Sequence, residues 1–87
     1  MKILVLNCGS SSIKYALYNM DDHTVITSGG IEKIGLPDSF ITVKLHGEKH
    51  RIMRPIEEHT AGVQFIFEVL TQGDYAVLQD LGELDDV

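Results

Sequence analysis

The chain has 87 residues, 44% of them hydrophobic, which argues against simple disorder and allows one small domain or part of a larger one. Thirteen acidic against seven basic residues give a formal charge of -6 with no basic block, so DNA, RNA and an anionic membrane are poor partners. The single cysteine, Cys8, excludes an intrachain disulfide and a cysteine-rich metal site, and the amino-terminal apolar run is too short for a secretory or membrane-spanning segment, so a cytoplasmic location is expected.

Ile3 to Leu6 is apolar on both alternating faces and reads as a central strand covered on both sides. Asn7-Cys8-Gly9-Ser10-Ser11-Ser12 follows as a polar turn, and Ile13, Tyr15 and Leu17 then share one face of a second strand. After the loop from Asn19 to His23, Thr24 to Ser28 is extended up to Gly29-Gly30. Short connections make two successive hairpins the economical topology. Beyond Gly35-Leu36-Pro37-Asp38, Ile41, Val43 and Leu45 alternate with Thr42 and Lys44. A turn at His46 to Lys49 and a weaker strand from His50 to Arg54 complete a peripheral hairpin with one wet face.

From His59 to Thr71 the period changes. Val63, Phe65, Ile66, Phe67, Val69 and Leu70 cover a broad apolar arc at helical spacing, and Gly73 offers a stop. Asp74 to Gln79 starts a new element, and Asp80 to Val87 closes with no stop signal. One helix for about five strands leaves apolar sheet uncovered, so the chain reads as part of a larger unit.

The chemistry concentrates in Asn7-x-Gly9-Ser10-Ser11-Ser12-x-Lys14. Glycine permits backbone angles that aim successive N–H groups at one point, hydroxyls add donors, and a lysine adds compact positive charge, which is the donor set an oxyanion of phosphate requires. The Asn7 carbonyl can face a metal ion or its bound water. The pattern is not a Walker A loop, and it leads into a strand, so a helix dipole plays no part. The same residues also suit an ordinary hairpin turn, with Lys14 as a solvated strand residue.

Leu4 to Tyr15 resembles the amino-terminal signature of the acetate kinases and their propionate and butyrate kinase cousins. The resemblance continues through Gly30 to Gly35, His59, Gly73 and Asp80 to Asp85. It implies an α/β fold: part of a ribonuclease H-like, actin-like ATPase domain of the acetate and sugar kinase, Hsp70 and actin superfamily, mostly strands in hairpins plus one helix. Residues 1–87 would be the amino-terminal portion of the first domain, truncated before the arginine motif that holds the carboxylate substrate. The implied activity is Mg2+-dependent transfer of the ATP γ-phosphoryl group to acetate, giving acetyl phosphate and ADP, in a cytoplasmic homodimer. By position, Asn7 resembles the magnesium-associated asparagine and Lys14 the ATP-associated lysine, while Gly9, Ser10, Ser11 and Ser12 resemble the phosphate turn. Their role would be to hold Mg-ATP rather than to act as base or nucleophile. The catalytic groups of the family belong to later segments, so the chain alone is expected to be inactive.

The remaining polar residues read more plainly. His23, His46, His50 and His59 are surface histidines, Cys8 is structural and oxidation-sensitive, and the pairs Asp21-Asp22 and Asp85-Asp86 are solvated charge. Three other readings stay open: a noncatalytic phosphate- or nucleotide-binding module, a propionate or butyrate kinase fragment, and an assembly role with the apolar helix as a docking face.

Overall fold

The computed structural model describes residues 1–85. Five strands form one antiparallel meander in chain order: β1 (Lys2–Cys8), β2 (Ile13–Asn19), β3 (Thr24–Glu32), β4 (Phe40–Leu45) and β5 (Glu48–Met53). Helix α1 (His59–Thr71) lies across one face, and a 3-10 turn follows at Leu81–Glu83.

The alternation in the strands decides which face the helix covers. Leu4, Ile13, Tyr15, Leu17, Ile31, Ile41 and Val43 are buried and meet Phe65, Ile66, Val69 and Leu70 of α1. Full burial of a side chain of this size stabilises by about 1.5–3 kcal/mol, so this layer is the main support of the fold. Val63 and Phe67, at the margins of the expected arc, are only half-buried. Gly62 is buried against the sheet side chains. A β-carbon there would stand 2.9 Å from the Ile13 Cδ1 and 3.3 Å from the Ile31 Cδ1.

Several expectations are corrected. Among the described residues β1 lies at the margin of the meander rather than between two strands, and Val5 is 47% exposed. The outer edge of β1 is touched by the carboxy-terminal segment: the Asp85 N–H donates to the Lys2 carbonyl at 2.8 Å, and the Lys2 N–H to the Asp85 carboxylate at 2.7 Å. β3 does not end at Gly29-Gly30 but runs through to Glu32. Both glycines fit the ladder because the neighbours come close: a β-carbon on Gly29 would sit 1.9 Å from the Thr42 carbonyl oxygen. Asp74 to Gln79 forms no regular element; it folds back under the helix end, with Val77 and Leu78 N–H groups both donating to the Leu70 carbonyl.

Turn chemistry explains the connections. His46 and Gly47 both have positive φ, 53° and 78°, the two-residue hairpin geometry that matches strand twist, so β5 starts at Glu48 rather than His50. Gly73, φ 79°, follows the Gln72 cap and ends the helix where expected. At the other end the Glu58 carboxylate caps α1 by accepting from the Ala61 N–H at 2.8 Å. No helix among the described residues is long and apolar enough to cross a membrane.

Candidate functional site

The candidate site is the turn between β1 and β2, residues 9–12. Its closure comes from the Gly9 N–H, which donates to the Ser12 carbonyl at 2.8 Å. Glycine here serves close approach rather than unusual angles. Gly9 is absent from the positive-φ residues, but a β-carbon would meet the Ser12 Oγ at 2.9 Å.

Two long-range hydrogen bonds fasten the turn to the domain. The Ile34 N–H donates to the Ser11 carbonyl at 3.0 Å, and the His59 Nε2–H donates to the Gly9 carbonyl at 2.7 Å. His59 is therefore not a plain surface histidine: it is half-buried and ties the first turn of α1 to the site. Its arrival is prepared upstream. The buried Ser39 hydroxyl donates to the Arg54 carbonyl at 2.8 Å and accepts from the Ile56 N–H at 2.6 Å, fixing the path from β5 into the helix. Nothing local in the sequence signals these contacts, since Gly9 and His59 are 50 positions apart.

The anchoring uses the carbonyls of Gly9, Ser11 and Ser12 and leaves the other side of the turn unspent. The hydroxyls and N–H groups of Ser10, Ser11 and Ser12 have no protein partner among the described residues, and Gly9, Ser10 and Ser11 are exposed. Fixed carbonyls with outward donors make a turn suited to an anion.

Asn7 and Lys14 stand opposite each other in the β1–β2 ladder, so both side chains leave the face that α1 does not cover. Lys14 pairs with Gly30 on β3, where a β-carbon would lie 3.0 Å from the Lys14 Cδ. The bare backbone of Gly30 lets the lysine stem lie flat across β3 to an ion pair with Glu32. An anion in the turn would compete with Glu32 for that ammonium group.

For a divalent cation, the residues present offer little alone. No three His, Cys, Asp or Glu side chains converge among the described residues, and Asn7 supplies one exposed neutral oxygen. That fits magnesium only in its usual nucleotide-bound form, coordinated by phosphate oxygens and water with few protein ligands. Cys8 is exposed and free, outside the core. His23 and His46 occupy positive-φ turn positions, and the half-buried His50 ring packs against Tyr75 at 4.9 Å. Asp21 pairs with the terminal ammonium group at 3.0 Å and Asp22 accepts from Thr24, while Asp86 lies outside the described residues. A hollow of about 490 Å³ between β5 and the end of α1 is lined by residues such as Ile52, Phe65, Val69 and Tyr75 and includes none of the turn.

A five-stranded antiparallel sheet with one helix and a donor-rich first hairpin defines a mixed α/β domain of the acetate and sugar kinase, or actin-like ATPase, superfamily. The sequence model of the Acetokinase family matches residues 2–87, and the chain belongs to that family. It is 54% identical over 88 aligned positions to an acetate kinase of Bacteroides fragilis, covering 100% of this chain and 22% of that protein. The crystal structure of Porphyromonas gingivalis acetate kinase superposes with a TM-score of 0.92 at 45% identity, covering 97% of this chain and 21% of the other. A propionate kinase from Francisella tularensis is more distant, with a TM-score of 0.73 at 28% identity over 80% of this chain and 18% of the other. The chain thus spans about a fifth of the length of these relatives.

Proposed function

We propose that this chain is the phosphate-holding part of an acetate kinase, which moves the γ-phosphoryl group of ATP to acetate and yields acetyl phosphate and ADP. The observation that carries the reading is the split use of the 9–12 turn: its carbonyls are committed to the scaffold, and its Ser10, Ser11 and Ser12 donors are free beside Lys14. In that reading the turn amides and hydroxyls orient the phosphate chain, and Lys14 offsets its negative charge. Gly9 keeps the Ser12 hydroxyl close to the turn backbone. Magnesium, when bound with the nucleotide, screens the phosphates and polarises the transferred group. The Asn7 oxygen would hold that ion or a water on it.

In the reaction itself an acetate oxygen forms a bond to the γ-phosphorus as the bond from that phosphorus to the ADP oxygen breaks. In this reading acetate is held elsewhere in the parent, and the residues of the turn act as neither base nor nucleophile. The chain is therefore the binding half of the chemistry, and catalysis belongs to a longer parent that works as a cytoplasmic homodimer. Acetate is preferred over propionate on overall similarity alone: among solved structures the Porphyromonas gingivalis acetate kinase is 45% identical and the Francisella tularensis propionate kinase 28%.

The test is to supply the purified, folded chain with Mg-ATP and excess acetate and assay ADP and acyl phosphate. The expected result is no turnover above the uncatalysed rate. Sustained production of acetyl phosphate by the chain alone would overturn the assignment of these residues to binding only.

A further inference from the structure

The face of the sheet that α1 leaves bare carries a second concentration of charge. Alternation from the buried Tyr15, Ile31, Ile41 and Val43 sends Lys14, Ser28, Gly30, Thr42 and Lys44 to the opposite side. There they border a hollow of about 390 Å³, together with Lys49 and Glu32. Gly30 contributes bare backbone to its floor, and the Ser28 and Thr42 side chains contribute hydroxyls.

The arrangement of the lysines is unfavourable as it stands. Lys44 and Lys49 are direct cross-strand partners in the β4–β5 ladder, where like charges repel. Neither takes part in any ion pair among the described residues. The only carboxylate bordering the hollow, Glu32, is engaged by Lys14. A chain with a formal charge of -6 therefore places two unneutralised lysines face to face on a polar hollow. An anion between them removes the repulsion and gains two charge-assisted hydrogen bonds.

We infer that this hollow is an oxyanion site in its own right, taking a phosphate-bearing anion between Lys44 and Lys49 with the Ser28 and Thr42 hydroxyls as further donors. It requires neither Asn7 nor the serines of the 9–12 turn and shares only Lys14, which is engaged by Glu32, with the proposed nucleotide site. The shared chemistry is a phosphate or diphosphate group, whether free or carried by a nucleotide.

The test is a titration of inorganic pyrophosphate into the isotopically labelled chain at low ionic strength, with amide chemical shifts as the readout. Saturable shifts are expected at Ser28, Gly30, Thr42, Lys44 and Lys49. They should persist when Ser10 and Ser12 are both replaced by alanine. They should weaken roughly tenfold in apparent affinity in the Lys44→Gln/Lys49→Gln double variant, as the loss of two exposed charge contacts requires. Both lysines are exposed, so this variant should keep an unchanged or higher melting temperature. A parallel titration with ADP separates the sources: hollow shifts with pyrophosphate alone assign a free anion, and shifts with both assign any diphosphate. Shifts confined to residues 9–12, or equal affinity in the double lysine variant, would overturn the inference.

Discussion

Tyr15 takes its hydroxyl into the core, where the residue is 3% exposed and the oxygen has no hydrogen-bond partner among the described residues. Desolvation pushes its pKa from 10.0 up to about 12. An acid whose folded pKa is raised favours the fold while it stays protonated, so its contribution is intact below pH 10 and is lost as pH rises toward 12. The loss is on the order of 2–3 kcal/mol. Replacing Tyr15 by phenylalanine removes both the unpaired hydroxyl and the ionisation. Denaturant unfolding should find Tyr15→Phe equal to or about 1 kcal/mol more stable than the parent at neutral pH. Between pH 10 and 12 the variant should lose less stability than the parent; parallel curves would mean that the hydroxyl is hydrated. The sequence places Tyr15 on the inner face, but its missing partner follows from the three-dimensional packing. The same holds for His59, whose partner Gly9 is brought close only by the path that Ser39 fixes.

Among the elements, α1 is fully legible because its signal is local: a run of apolar residues at helical spacing with a glycine at the exit. Its boundaries, His59 and Thr71, coincide with those the pattern predicts. β1 and β3 are less legible because their character depends on neighbours. Ile3 to Leu6 has the composition of a central strand, yet strand order among the described residues puts it at the margin of the meander. Gly29-Gly30 looks like a breaker in one dimension and is a close-approach point in three, beneath Thr42 and Lys14. Gly29→Ala should therefore destabilise the chain by roughly 1–3 kcal/mol in chemical unfolding, since the β-carbon meets backbone rather than a movable side-chain tip. A neutral effect would show that β3 and β4 can separate at that point without loss. The carboxy-terminal tie is pH-sensitive. The Glu83 carboxyl is held below its usual value, first by the Gln79 N–H and then by Lys2. That support is present above the ordinary carboxylate range and fades as acid protonates Glu83.

At the scale of the whole molecule, the chain is a sheet with one covered face and one bare face, and the candidate chemistry is gathered on the bare one. Asn7, Lys14 and the 9–12 turn stand at its margin, next to the lysine-lined hollow. The 9–12 turn was legible in the sequence as a turn between two strands because its residues are contiguous. The Lys44–Lys49 hollow was not, because it is assembled across four strands whose register the sequence does not state. The relatives are nearly five times longer, and the role proposed for this unit is only the holding of phosphate. The most direct measurement of that claim is calorimetric titration of Mg-ATP into the folded chain and its Lys14→Ala variant. Saturable binding by the parent, weakened roughly tenfold in the variant as expected for one charge-assisted contact, is the predicted result. No binding by the parent, or equal binding by both, would contradict it.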